Sequence, residues 1–275
     1  MTNPEQVCPI CGAGSHRTTL RLDPEIPILV CPACGHAVRA EAPSFDANIA
    51  QQIEVARQKA VPASPRDVRW PRRVALVAAQ VRKLAGRHGA ALDIGCGNGA
   101  WLLALGTGWT RFGVEVSPAS ADVVRRSTGA EVFRGPFESY RPQHPFDLIT
   151  AFALIEHLGD PRAMIQWARD HLRPSGLLVL MTGDRQSAVA RSLEDRWSLY
   201  APPEHVSFFS AQSLRLLLEQ TGFQVVRQEW RHMGHGAHRS SRVRSLWWKC
   251  KEVLGLVRRP YFDHYYCYAR LPSRS

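Results

Sequence analysis

Leu92-Asp93-Ile94-Gly95-Cys96-Gly97-Asn98-Gly99 follows a short apolar run at 90–94 and precedes apolar residues at helical spacing over 100–105. Strand, glycine turn and helix in that order form the opening unit of a doubly wound sheet. Its ligand crevice lies at the carboxyl end of the first strand. Glycine is required where the backbone turns sharply and a ligand must approach it closely. Asp93 stands two residues before the first glycine, and Glu115 ends the next apolar run 22 residues on. A carboxylate there can accept from both hydroxyls of a ribose. Gly95, Gly97 and Ala100 also satisfy the dinucleotide pattern G-x-G-x-x-A. However, a charge at Asp93 faces a pyrophosphate poorly and suits a ligand with a cationic amino-acid portion.

Outward from this loop the pattern alternates. Strands are predicted at 90–94, 111–116, 131–133, 146–152, 177–181, 223–230 and 265–271. Helices are predicted at 73–84, 100–105, 119–127, 162–172 and 213–220. This alternation implies an α/β fold, a doubly wound, mostly parallel sheet covered by helices on both faces. Residues 41–72 carry Pro43, Pro62, Pro65 and Pro71 and read as a linker with one helix around 49–59. The expected domains are a small module at 1–40, that linker, and an α/β domain at 73–275.

The 275 residues are 45% hydrophobic and 21% charged, the composition of a globular protein rather than a disordered or collagen-like one. No apolar run is long enough for a membrane span, and the polar first ten residues do not read as a secretory signal. The expected location is cytoplasmic. The net charge of +11 is concentrated at the end, where residues 227–275 hold eleven Lys/Arg against three Asp/Glu. Such a balance favours an anionic partner.

Cys8-Pro-Ile-Cys11 and Cys31-Pro-Ala-Cys34 are separated by 19 residues, the spacing of a four-thiolate zinc site. Each pair is followed by a glycine, so each can form a tight turn that places two sulfurs on one tetrahedral ion. The site is expected to be structural, because about 40 residues bury too little core to fold unaided. The two units resemble a zinc ribbon, a module that commonly offers a docking surface for a partner protein. His16 and His36 are expected to be bystanders.

Several stretches in order resemble the class I S-adenosylmethionine-dependent methyltransferases: LDIGCGNG at 92–99, GVEVSP at 113–118, RGPFES at 134–139, FDLITAFALIEHLGDP at 146–161 and LRPSGLLVL at 172–180. The resemblance covers about 73–230. It implies a seven-stranded Rossmann-like methyltransferase domain with S-adenosyl-L-methionine as cofactor. It also implies that Asp93, Gly95 and Gly97 hold the methionine portion, Glu115 the ribose, Phe137 and Glu138 the adenine, and that Phe152 lies near the sulfonium.

Glu156-His157 falls at the end of the fourth strand segment. Residues 197–210, W-x-x-Y-x-P-P-E-H-x-x-F-F-S, resemble a stretch found in small-molecule and cell-envelope methyltransferases. Histidine near its own pKa suits proton abstraction, so His205 is the expected catalytic base and His157 the runner-up. A structural role for His205, bridging two loops, is the alternative. The expected acceptor is a small molecule, a sugar or lipid-linked envelope precursor. RNA methylation, a non-catalytic cofactor-binding scaffold and a nicotinamide oxidoreductase are the competing readings. Val243, Leu246, Trp247, Cys250, Val253, Leu254 and Val257 form one helical stripe flanked by basic residues. This basic amphipathic segment over 243–257 suits either the protein's own core or an anionic membrane surface.

Overall fold

The structure is a computed structural model that describes residues 7–13, 18–20, 27–40, 71–231 and 262–272, with Ser44, Ala47, Ile49, Ala50, Ile53 and Glu54. The basic segment at 243–257, the histidine-rich stretch before it, His16 and most of the predicted linker helix lie outside the described residues.

The strands are β1 (Thr18–Leu20), β2 (Ile28–Val30), β3 (Ala37–Arg39), β4 (Gly89–Ile94), β5 (Trp109–Glu115), β6 (Glu131–Arg134), β7 (Phe146–Phe152), β8 (Leu172–Gly183), β9 (Ser207–Phe208), β10 (Gln224–Arg231) and β11 (His264–Arg270). The helices are α1 (Pro71–Ala85), α2 (Ala100–Ala104), α3 (Pro118–Thr128), α4 (Pro161–His171), α5 (Ala188–Leu193) and α6 (Ala211–Gln220). Seven strands form the large sheet in the order β10-β11-β8-β7-β4-β5-β6. β4 pairs in parallel with β5 and β7, and β5–β6 and β7–β8 are parallel as well. β11 runs antiparallel between β8 and β10. The chain leaves β4 toward one side of the sheet and later fills the other, so the crevice lies beside β4, as the glycine loop predicts.

Side chains alternate across this sheet with a period of two. Ile149, Ala151, Leu178, Leu180, Tyr265 and Cys267 face one core with Met164 and Ile165 of α4 and Leu214 and Leu217 of α6. Leu148, Leu177, Val179, Met181, Tyr266 and Tyr268 face the other, with Val77 and Val81 of α1, Trp101 of α2 and Val124 of α3. Local chemistry marks the helix ends. Ser117 caps α3 by accepting from the Ser120 amide, and Gly129 ends it at a φ of 68°. Asp160 caps α4, and Ser210 and Ser213 form a reciprocal cap at α6.

β8 extends well beyond the predicted 177–181. Its first residue, Leu172, pairs with Phe146, and the register then shifts before Leu148 meets Leu177. Arg173-Pro174-Ser175-Gly176 bends within the strand, with Ser175 at a φ of 63°. A turn-like composition therefore hides a strand that continues through an irregularity.

β1, β2, β3 and β9 make a second, antiparallel sheet. Three of its strands belong to the cysteine module. The fourth comes from the α/β domain, where Phe208 pairs with Ala37 and Ser207 with Val38. The module is thereby joined to the large domain through main-chain pairing, which no sequence pattern announces.

Gly113 lies in the middle of β5 beneath the glycine loop. A Cβ there would come within 2.8 Å of Cys96 Sγ. Cys96, one of the residues of the loop, fills the space that Gly113 leaves. Gly113→Ala is expected to lower stability by about 1–3 kcal/mol through overpacking. Adding Cys96→Ala should recover part of that loss. Denaturant unfolding of the single and double variants measures both.

Candidate functional site

The glycine loop crosses the carboxyl end of β4 with Gly95, Gly97 and Gly99 all at positive φ, 73°, 54° and 78°. These are conformations that side-chain-bearing residues adopt rarely. A Cβ on Gly97 would meet nothing nearer than 4.0 Å, so its surface stays open for close approach. A Cβ on Gly99 would come within 2.7 Å of Thr128 Cγ2. Gly97 therefore leaves an open surface on the loop, whereas Gly99 serves the packing of the loop on α3.

Glu115, at the end of β5, accepts from the Gly97 amide at 2.9 Å through one oxygen and from the Ser117 amide at 2.9 Å through the other. It is buried, and burial raises its pKa against the pull of these amides. Each oxygen retains a lone pair, so the carboxylate can still accept from vicinal hydroxyls. Asp93 is only 3% exposed and accepts from Thr150 Oγ1 at 2.6 Å. Burial pushes its pKa up to about 7, and the nearby Glu115 charge adds to the rise. Two buried carboxylates beside an open glycine turn suit a ligand with hydroxyls at one end and positive charge at the other. They oppose a pyrophosphate.

Phe137 is buried and meets Trp167 edge-on at 6.1 Å between centroids, within a group that includes Phe133 and Tyr140. Glu138, its neighbour in a short 3-10 turn, is exposed. Phe152 ends β7 half-buried between Trp101 at 5.0 Å and Tyr266 at 5.9 Å, both edge-on. The next residue, Ala153, has a φ of 50°, and its amide donates to the Met181 carbonyl at 2.9 Å. Left-handed backbone at an alanine costs of order 1 kcal/mol. Here it turns the chain sharply from the strand end into the turn carrying Ile155–His157. No sequence signal marks this position.

That turn and the 197–210 segment meet. Ligand atoms of Glu156, His157 and His205 lie within 4.8 Å of one another, and the two imidazole centroids are 4.7 Å apart. Glu156 accepts from Thr182 Oγ1 at 2.9 Å. His205 Nδ1 donates to the Leu199 carbonyl at 2.7 Å, and His157 Nδ1 donates to the Glu204 carbonyl at 3.1 Å. A carbonyl can only accept, so in both neutral rings the proton sits on Nδ1 and the basic lone pair on Nε2. Burial lowers the His157 pKa, and the neighbouring His205 adds to this, while Glu156 acts against it. The Val206 amide donates to the Glu156 carbonyl at 2.9 Å, which locks the two segments together. Both histidines stand out in the sequence, but nothing there signals that they touch.

The four cysteines of the module also converge. Their sulfurs lie within 4.8 Å of one another, with Cys8–Cys34 and Cys11–Cys31 each at 3.6 Å. A disulfide would need about 2.05 Å. A tetrahedral zinc with bonds of about 2.3 Å sets sulfurs roughly 3.8 Å apart, so the donor set fits that ion. Gly12 and Gly35 donate to the Cys8 and Cys31 carbonyls and close each turn at a positive φ. His36 is no ligand here. Its Nε2 faces Ser207 Oγ at 3.3 Å, its ring packs on Phe209, and burial lowers its pKa to about 3.

A family model described as "Methyltransferase domain" matches residues 66–228. Among curated proteins, a tRNA U34 carboxymethyltransferase from Alteromonas mediterranea is 28% identical over 181 residues, 58% of this chain and 51% of that protein. A ubiquinone biosynthesis O-methyltransferase from Thiobacillus denitrificans is 30% identical over 114 residues, 38% of this chain and 47% of that protein. The chain thus spans about half the length of the curated relatives it matches. The solved structure of the N-methyltransferase NodS from Bradyrhizobium japonicum, in complex with S-adenosyl-L-homocysteine, shares the fold. Its TM-score is 0.56 at 18% identity, covering 82% of this chain and 99% of that one. With a family model spanning more than half of its length and a seven-stranded sheet of the same design, this chain belongs to the methyltransferase-domain family with the class I fold.

Proposed function

We propose that this protein methylates a small-molecule acceptor from S-adenosylmethionine and that His205 takes the acceptor's proton. The observation that carries the reading is the Leu199 carbonyl bonded to His205 Nδ1, which leaves the basic lone pair on Nε2 of a ring that packs edge-on against His157.

The cofactor supplies a methyl group on a sulfonium, a cation that needs a negative, desolvated cradle. Asp93 would hold the ammonium end, Gly95 and Gly97 would let the methionine portion lie against backbone, and Glu115 would accept from the ribose hydroxyls. Phe137 and Glu138 would flank the adenine, one as a buried wall and the other as a polar rim. Phe152 would present its ring near the reacting carbon. Methyl transfer is an in-line displacement, so alignment supplies most of the acceleration. His205 would accept the proton of an acceptor hydroxyl, amine or acidic carbon at Nε2. Glu156 would stabilise the resulting imidazolium, and His157 would orient the group or serve as the second base.

The acceptor we favour is a sugar or a lipid-linked sugar precursor, because a cluster of two imidazoles and a carboxylate suits a small polar molecule. RNA is the second reading, favoured by the tRNA-modifying relative and by the basic charge of 227–275. Contact of the 243–257 stripe with an anionic membrane, and a partner protein at the ribbon, are further proposals. No helix among the described residues is long and apolar enough to cross a membrane.

Transfer of labelled methyl is expected into a sugar or polyprenyl-linked sugar pool. Label in tRNA alone would establish the second reading, and tight cofactor binding without transfer to either pool would establish a scaffold. His205→Gln should reduce kcat by about 10²–10⁴-fold and leave the affinity for S-adenosylhomocysteine within twofold. An unchanged kcat removes the base.

The cofactor's ammonium requires Asp93 ionised, whereas burial keeps much of it protonated below about pH 7. Binding should therefore release a proton, and the affinity for S-adenosylhomocysteine should rise as pH climbs toward 7 and level off above it. Each pH unit below that point costs about tenfold. Asp93→Asn should bind weakly at every pH and lose this dependence. Calorimetry in two buffers of different ionisation enthalpy reads both the affinity and the proton.

A further inference from the structure

The ribbon lies against the segment that carries the proposed base, and one of its side chains grips that segment. Arg39, the last residue of β3, is 5% exposed. Its Nε donates to the His205 carbonyl at 3.0 Å. One terminal nitrogen donates to the Tyr200 carbonyl at 2.8 Å and the Pro202 carbonyl at 3.1 Å. Its own amide donates to the Val206 carbonyl at 3.0 Å. Three carbonyls along 200–205 thus converge on one planar guanidinium, a geometry that a lysine ammonium cannot reproduce.

Further contacts fasten the metal-binding turns to the same region. Ser210 Oγ donates to the Cys34 carbonyl at 2.9 Å, and Arg185 bridges the Gly35 carbonyl and the Tyr200 hydroxyl. Arg162, from α4, donates to the Ile10 carbonyl beside the other cysteine pair. The chain of contacts runs from the cysteine turns through β3 and Arg39 to 200–206. From there it reaches the 155–157 turn through the Val206–Glu156 bond.

We propose that the ribbon is a clamp built into the site: Arg39 is a positioning residue that fixes the 200–206 segment and, through it, the His205 imidazole. This rests on the reading of His205 as the base. Zinc on the four thiolates would keep the turns behind β3 rigid. Without them, Arg39 would grip the segment from a support that is itself free to move.

Arg39→Gln removes the grip. Arg39→Lys keeps the charge and at most part of the bonding, so it supplies a second variant if the first folds poorly. Both are judged folded when they retain one zinc equivalent and the wild-type affinity for S-adenosylhomocysteine. Faster hydrogen exchange, by about tenfold or more, is expected at the His205 and Val206 amides, which donate to the Pro202 and Glu156 carbonyls. A fall in kcat of tenfold or more is expected as well, with cofactor affinity unmoved. In a His205→Gln background, Arg39→Gln should cost nothing further, because both changes remove one function. Releasing the zinc with a mercurial should loosen the same amides.

Unchanged exchange at these amides in a zinc-loaded Arg39→Gln protein overturns the clamp. So does an unchanged kcat, or an additional loss on the His205→Gln background. Failure of the base reading looks different. There, His205→Gln alone keeps its kcat, whatever happens to the exchange rates in the Arg39 variants.

Discussion

The two oxygens of Glu115 hold the amides of Gly97 and Ser117, and the rest of the site is arranged around that pair of bonds. One amide belongs to the glycine turn leaving β4 and the other to the cap of α3 leaving β5. A single buried carboxylate therefore sets the spacing between the two loops that line the crevice. Its burial, and that of Asp93, costs solvation. That cost is offset in part by backbone amides and the Thr150 hydroxyl. A ligand bringing hydroxyls and positive charge offsets more of it. The same electrostatics that cost the protein solvation thus favour a ligand of that kind.

Much of this frame was legible in the sequence, because it is written in local chemistry. The glycines at 95, 97 and 99, the acids at 93 and 115, and the apolar runs with period two each follow from one stretch of chain. The two CxxC pairs were equally readable, since their spacing is the chemistry. What stayed hidden was long-range. His157 and His205 were each visible as candidates, but their contact depends on the turn that Ala153 forces and on the Val206–Glu156 bond. β9 has only two residues, too few to show a period, and it exists because β3 offers it an edge. Nothing local to Arg39 tells that three carbonyls will surround it.

The two sheets divide the labour of the molecule. The large one carries the glycine loop and the Glu115 turn at the ends of β4 and β5, where conformation is set by strands buried on both faces. Glu156 and His157 sit on a 3-10 turn and His205 on an irregular segment, and these have no comparable scaffold of their own. Rigid support for them comes from outside the α/β domain, through main-chain pairing of β3 with β9 and through side chains that reach across to bare carbonyls. A fold shared by many methyltransferases can in this way gain fixed loops at one end without altering the strands that carry its glycine turn.

The pairing of β3 with β9 also bears on attempts to trim the protein. Cutting away the first forty residues to obtain a minimal enzyme would uncover β9 as an unpaired edge. It would also strip the partners from the carbonyls of Tyr200, Pro202 and His205, and expose Phe208 and Phe209, which are buried in the whole chain. Such an edge invites another chain to add to it. The truncated fragment would therefore tend to self-associate, because β3 covers both the edge of β9 and the apolar side chains beside it.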